Sequence, residues 1–329
     1  MYWFYKNGPK NNLCDVKGLR VGHVSLNNDS QGIHTGVTAI LPPGSNPYQE
    51  KCISAAHCIN GFGKPLGLEQ VRELGQIESP ILLTNTLSIG DATRGLMDYM
   101  LDIDPSIGRP TTVNPLVLEC NDGSINDIRR LALQPKDALE ALTHAQEDFS
   151  QGSVGAGTGM VCYGLKGGIG SASRLVDIHE TTYTIGALVL SNFGATKDLT
   201  ILGEKLGPKL ATEERKDRGS IVTILATDLP IDSRQVLRLC KRVQSGIART
   251  GAFTSHGSGE FALGFTTCKT PSLLDQDLDP AFQATVEAVE EAILSSLYHN
   301  ESKTAYTGEI FQSLEDRARE KKVSLPSYR

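Results

Sequence analysis

The chain has 329 residues, with 32 Lys and Arg against 38 Asp and Glu and a net charge of −6. That excludes a disulfide-stapled mini-protein, and there is no basic excess of the kind that nucleic-acid or anionic-membrane binding needs. Hydrophobic residues at 39% and charged residues at 21% give enough apolar material for a core and too little charge for a disordered chain.

After the opening MYWFYKNGPKNN, which breaks at Lys6 and Gly8 too early for a signal segment or membrane span, Leu19 to His23 and Gly36 to Leu41 predict short strands. The polar stretch LNNDSQGIHT between them reads as a hairpin-like loop. Leu68, Val71 and Leu74 have helical spacing, Pro80 to Asn85 is a buried-type strand, and Gly90 to Leu101 places Leu96, Met97 and Met100 on one helix face. Leu116 to Glu119 predicts a strand ending in the polar ECNDG, and Lys136 to Phe149 a helix with the stripe Leu139, Leu142, Ala145 and Phe149.

From Gly152 to Gly170 glycine dominates, which suits a sheet closely approached by another backbone. The charged LATEERKDRGS predicts a solvated linker running directly into the apolar strand IVTILATDLPI. Ser233 to Arg249 is a helix with Val236, Leu239, Val243 and Ile247 on one stripe, Asp232 or Ser233 as N-cap and Gly251 as stop. FALGFTT is a strand, and Asp279-Pro280 opens a helix carrying Phe282, Val286, Val289, Ile293 and Leu297. With no internal repeat and no long linker, one layered α+β domain over residues 1–329 is expected.

The seven cysteines, Cys14, Cys52, Cys58, Cys120, Cys162, Cys240 and Cys268, are odd in number and lack CxxC spacing. They predict reduced, mostly buried thiols in a cytoplasmic protein, without a disulfide framework or metal site.

Gly219-Ser220, where the charged stretch meets the apolar strand, has two readings. The serine is an ordinary turn or strand-edge hydroxyl, or it becomes a chain terminus by self-cleavage. In the second case Ser220 carries both a hydroxyl and an α-amine, whose pKa near ~7.7–8.0 lets it take the proton from its own Oγ. Glycine at 219 leaves room for the tight turn such an attack requires.

The runs RVGHV…HTGVTAILP, AAHCINGFGKPLGLEQVRELGQIESPILLTNTLSIG, ECNDGSINDI, GAGTGMVCYGLKGGIGSASR, LVLSNFG, GSIVTILATDLPI and GIARTGAFTSHGSGEFALGFTT occur in order between about Val16 and Thr267. In them the chain resembles the DmpA/BapA family of self-processing aminopeptidases. The resemblance implies a four-layer αββα sandwich of the N-terminal nucleophile hydrolase type, cut between Gly219 and Ser220 into chains 1–219 and 220–329. Ser258 and Glu260 match the family's second serine and acid, which hold the nucleophile and its amine. Asn192 matches its oxyanion-stabilising asparagine, and Glu119 the carboxylate that contacts the substrate's free amino group.

Two positions after that glutamate the family's founding aminopeptidase has tyrosine and this chain has Asn121, which changes one substrate hydrogen bond. The implied substrate is a peptide or amide with a free N-terminus. No cofactor, nucleic acid or membrane is implied, and the assembly the resemblance implies is a homo-oligomer, a tetramer of processed heterodimers.

Rival readings remain beside this one. His57 or His256 could serve a Ser/His/acid triad, although the family uses no histidine base. Gly155-Ala-Gly-Thr-Gly159 with Asp177 loosely resembles a dinucleotide fingerprint, but the sequence that follows is not helical. The same scaffold could act as an amide hydrolase or acyltransferase on non-peptide amides, or be a homologue that is never processed.

Overall fold

The computed structural model describes residues 2–212 and 219–327. Most of the predicted charged linker, residues 213–218, lies outside the described residues. The chain opens with the hairpin Arg20–Asn28 (β1) and Ile33–Leu41 (β2), paired out to Asn28 and Ile33. The strands are longer than expected, because the Asn28 side chain accepts the Gln31 N–H at 3.2 Å and closes the reversal in four residues, Asp29 to Gly32. Cys52–Gly61 (β3), Leu68–Leu74 (α1), Gln76–Ile77 (β4), Ile81–Asn85 (β5), Ile89–Ile103 (α2), Leu116–Cys120 (β6) and Pro135–Thr143 (α3) follow.

Helix α3 ends well short of Phe149. The main chain of Gln146 leaves the helix to pair with Val21, N to O at 2.9 Å, so tertiary pairing overrides the helical period. The glycine-rich stretch forms a buried 3-10 turn at Gly155–Gly159, the short strands Val161–Cys162 (β7) and Leu165–Lys166 (β8), and the start of Gly168–Ile178 (β9). Thr181–Asn192 (β10) returns antiparallel to β9, and Thr200–Ile201 (β11), Glu204–Lys205 (β12) and Gly207–Leu210 (α4) lead to residue 212.

After the undescribed segment come Ser220–Thr227 (β13), Ser233–Arg249 (α5), Gly259–Thr266 (β14), Asp279–Tyr298 (α6), Lys303–Thr304 (β15), Ile310–Phe311 (β16) and Leu314–Lys321 (α7). Helix α5 has the predicted limits. Asp232 accepts the Gln235 N–H at 2.7 Å and Gln235 returns a bond to the Asp232 N–H, a capping box.

The two large sheets are β1-β2-β5-β6 and β4-β3-β14-β13-β10-β9, and β7-β8, β11-β12 and β15-β16 are two-stranded. Because side chains alternate along a strand, each of the large sheets has two apolar faces and three large cores form, beside a small cluster of Ile125, Ala305 and Phe311. Val37, Ala39, Leu82 and Val117 meet Leu96 and Met100 of α2 and Ala138 and Leu142 of α3. Ile40, Leu83, Leu118 and Cys120 meet Leu190, Val222, Ile224 and Leu263 between the sheets. Val189, Ile221, Leu225 and Ala262 meet Val236, Leu239 and Val243 of α5 and Ala288, Val289 and Ala292 of α6.

Each fully buried Leu or Ile stabilises by roughly 1.5–3 kcal/mol, and the layer order is helix, sheet, sheet, helix. The chain is a four-layer αββα sandwich, as the resemblance implied. No helix of the described residues is long and apolar enough to cross a membrane.

Candidate active site

The site lies where the central strands of the larger sheet end. Ser220 is the first residue of β13, 8% exposed, facing Asn192 of β10 on one side and Gly259 of β14 on the other. It shares strand parity with Val222 and Ile224, so its side chain is directed between the sheets. There the Cys120 thiol lies within hydrogen-bonding reach of it. Burial and the neighbouring Glu119 push that thiol well above the usual cysteine range, so it is a packing group and not a nucleophile.

Gly219 is needed for close approach. A Cβ there would stand 1.8 Å from the Asn192 carbonyl oxygen, and the Gly219 carbonyl accepts the Gly259 N–H at 3.2 Å.

Asn192 is the last residue of β10, buried, with both ends of its carboxamide engaged. Oδ1 accepts the Val161 N–H at 2.9 Å, and Nδ2 donates to the Asn121 carbonyl at 2.9 Å. The second Nδ2 hydrogen is the one available toward the cleft.

Ser258 and Glu260 flank Gly259 at the start of β14, both buried. Alternation gives them the same face. The Ser258 Oγ is fully buried without a hydrogen-bond partner among the described residues, while Glu260 Oε2 accepts the Thr254 hydroxyl at 2.8 Å. Thr254 has φ +59°, a left-handed conformation that is strained for a β-branched residue. The preceding turn is also gripped from the side. Asn60 Nδ2 donates to the carbonyls of Ser255 and His256, each at 3.3 Å, and to that of Ser258.

Glu119 stands near the end of β6, 5% exposed. Oε1 accepts the Lys64 N–H at 2.8 Å and Oε2 accepts the Thr86 hydroxyl. A carboxylate has about four acceptor sites, so it retains capacity for an ammonium. Gly63 allows the approach, since a Cβ there would meet Glu119 Oε1 at 3.2 Å and the Phe261 ring at 2.5 Å. Asn121 is exposed, and its Oδ1 accepts the Gly123 N–H at 2.9 Å. A cleft of about 730 Å³ runs past Asn121, Asn192, Gly219 and His256, with Phe62 and Ile128 supplying apolar wall.

Ser220, Asn192, Ser258 and Glu260 therefore stand at one end of the larger sheet, Ser258 and Glu260 flanking the Gly259 that pairs with Ser220, while Glu119 stands near the end of β6 and Asn121, just beyond it, lines the cleft with Asn192. The rival constellations do not assemble. His256 is exposed with its ring 6.2 Å from that of Phe62, and His57, whose pKa burial lowers, stands opposite Ala262 in mid-strand. Gly155–Gly159 is a buried 3-10 turn and not a strand-to-helix phosphate loop, and Asp177 accepts the Thr182 hydroxyl near the distal β9–β10 turn. Asn60, Thr254, Lys64 and Thr86 went unnoticed in the sequence. Only Asn60 and Lys64 carried a signal, as polar residues inside the glycine-punctuated run INGFGK.

Comparison with known proteins gives the family and the fold. The model of peptidase family S58 matches residues 11–311. A β-peptidyl aminopeptidase, BapA of Sphingosinicella microcystinivorans, is 32% identical, over 94% of this chain and 86% of its own. Among solved structures, the PH0078 protein of Pyrococcus horikoshii OT3 superposes with a TM-score of 0.92 at 44% identity, covering 97% of this chain and 95% of its own. The L-aminopeptidase D-Ala-esterase/amidase of Ochrobactrum anthropi, described as a prototype of the serine aminopeptidases and a variant of the Ntn hydrolase fold, gives 0.88 at 31% identity, covering 97% and 95%. The chain belongs to peptidase family S58 and is a serine aminopeptidase of the N-terminal nucleophile type.

Proposed function

We propose that the protein cleaves its own Gly219–Ser220 bond, dividing one αββα domain into chains 1–219 and 220–329, and then uses Ser220 to release amino-terminal residues. Its substrates are peptides, amides or esters with a free amino group, including the β-aminoacyl substrates indicated by the names of its relatives. The observation that carries this reading is the placement of Ser220 as the first residue of a buried strand, between Asn192 and Gly259, with the Gly219 carbonyl held by a backbone N–H.

In the first step Ser220 Oγ attacks the Gly219 carbonyl, the peptide nitrogen leaves as the new α-amine, and water hydrolyses the resulting ester, which frees the Gly219 carboxylate and the Ser220 hydroxyl. In each later cycle Oγ attacks the substrate carbonyl while that amine accepts its proton and passes it to the leaving amine. Water then hydrolyses the acyl ester by the same route. Asn192 donates to the oxyanion, a role whose removal typically costs about 10²–10³ in rate. Ser258 and Glu260 hold the ammonium form of Ser220, and Glu119 pairs with the substrate ammonium, which selects unblocked N-termini. The seven free cysteines support a cytoplasmic setting, and the family resemblance supports a homo-oligomer, a tetramer of processed heterodimers.

Denaturing gels and intact mass test the cleavage. The wild type should give two fragments meeting at 219/220, and Ser220→Ala one inactive chain. A fully active, uncut wild type sinks the mechanism. A panel of aminoacyl anilides, with α-, D- and β-aminoacyl groups, then fixes the preference.

A further inference from the structure

Lys166 is a buried cation outside the constellation described above. It is 0% exposed on β8, and its Nζ donates to three backbone carbonyls, those of Gly157 at 3.0 Å, Met160 at 3.2 Å and Gly167. No carboxylate pairs with it among the described residues. Desolvating an ammonium costs several kcal/mol unless it is well compensated, so a cation solvated only by carbonyls is an expensive way to hold a loop. A neutral donor would hold it at lower cost.

The Met160 carbonyl and the Val161 N–H belong to one peptide group. Lys166 Nζ donates to its oxygen at 3.2 Å, and its N–H donates to Asn192 Oδ1 at 2.9 Å. A positive charge at the oxygen polarises the peptide and strengthens its N–H as a donor. That in turn withdraws electrons from the Asn192 carboxamide and strengthens Nδ2–H, since linked hydrogen bonds reinforce one another. Gly167 N–H also donates to the Met160 carbonyl at 2.9 Å, which fixes the peptide plane.

We infer that Lys166 is a positioning residue for catalysis, acting through the Met160–Val161 peptide to orient and polarise the Asn192 carboxamide toward the oxyanion. The inference rests on the proposed role of Asn192, and the test separates the two.

Kinetics of Lys166→Met and Lys166→Gln are compared in the wild-type and Asn192→Ala backgrounds on a free-amine aminoacyl anilide. Burial and Lys303 draw the Lys166 pKa down to about 7, so each variant is compared with its parent at matched pH from 6 to 8. Protonation of the Ser220 α-amine slows all forms alike at the acid end, and the difference between them is largest there, where Nζ holds its proton. Besides Lys303, the titratable groups that reach Lys166 are Cys162 and His34. Both variants should lose about tenfold in kcat with KM nearly unchanged, and nothing further beside Asn192→Ala. Lys166→Arg, which keeps the charge, should restore most of kcat.

An equal loss in both backgrounds, or full kcat in Lys166→Gln, overturns the inference. Full kcat in Asn192→Ala overturns the oxyanion role, and the inference with it. If the neutral variants do not fold, the unmutated protein answers through its Val161 amide resonance, which must follow Lys166 ionisation between pH 6 and 8. A resonance that stays still overturns the relay.

Discussion

Two buried cations, Arg174 and Lys166, lie in strands consecutive along the chain and are compensated in opposite ways. Arg174 on β9 is 1% exposed and meets two carboxylates of α6, Glu287 Oε2 at 3.3 Å and Glu291 Oε2 at 2.5 Å, with the Trp3 ring 4.7 Å from its guanidinium. The same glutamates hold the N-terminal segment, Glu287 accepting the Phe4 and Tyr5 N–H groups and Glu291 the Asn11 side chain. Lys166 has carbonyls alone. The charge of Arg174 is neutralised where it stands and serves to tie three segments together, whereas that of Lys166 is left to act on the peptide beside Asn192. Burial alone does not distinguish a structural cation from a functional one, but the kind of partner does.

The largest effect expected from breaking this comparison is on the structural side. Arg174→Met leaves Glu287 and Glu291 buried without their cation, and removing one partner of such a network costs about 3–5 kcal/mol. Chemical denaturation should show that loss, and the molecules still folded should keep wild-type kcat. A fall in kcat at full stability would mean that Arg174 also acts on the site.

A smaller effect comes from a half-buried base between these extremes. His23 on β1 has Nδ1 2.9 Å from the Thr38 hydroxyl, and burial lowers its pKa to about 4. Its folded-state pKa lies below the unfolded value near 6.5, so the neutral ring contributes stability above pH 6.5. That contribution is lost as pH falls toward 4. At 1.36 kcal/mol per pH unit the loss is on the order of 3 kcal/mol. His23→Gln should therefore flatten the stability curve between pH 6.5 and 4, and an unchanged acid slope would show that His23 takes up its proton in the fold as readily as in the unfolded chain.

How far sequence foresaw the molecule depends on whether a feature is local. Helix α5 was bounded correctly because Asp232 and Gln235 form a capping box and Gly251, at φ +101°, stops the chain. Helix α3 was drawn too long because what ends it, the pairing of Gln146 with Val21, joins residues far apart in sequence. Ser220, Asn192, Ser258, Glu260 and Glu119 could be named because each stands at a strand end inside a block of the family resemblance. Lys166 stands in such a block too, yet its meaning depends on the fold of the preceding glycine-rich turn, which brings Gly157 and Met160 to its Nζ. Thr254 is likewise silent until its φ is known.

The smallest expected effect sharpens the comparison from the acidic side. Asp122, two residues beyond Cys120, is fully buried. Its Oδ1 accepts the Asn126 amide at 3.1 Å, no cation pairs with it among the described residues, and burial raises its pKa to about 7. A carboxyl raised in the folded state contributes its full stability below the unfolded pKa near 3.9 and loses it as pH rises toward 7. Asp122→Asn keeps an acceptor for Asn126 and removes the charge. Of the roughly 4 kcal/mol recovered at pH 8, where Asp122 is ionised, about 1–3 kcal/mol is offset by the new amide at the unpartnered Oδ2 position, so a net gain on the order of 1 kcal/mol is expected at pH 8 and a loss at pH 4. Thermal melts at the two pH values measure the difference. Equal Tm changes at both would mean that Asp122 is charged in the fold without penalty and has a compensating partner, as Arg174 does and Lys166 does not.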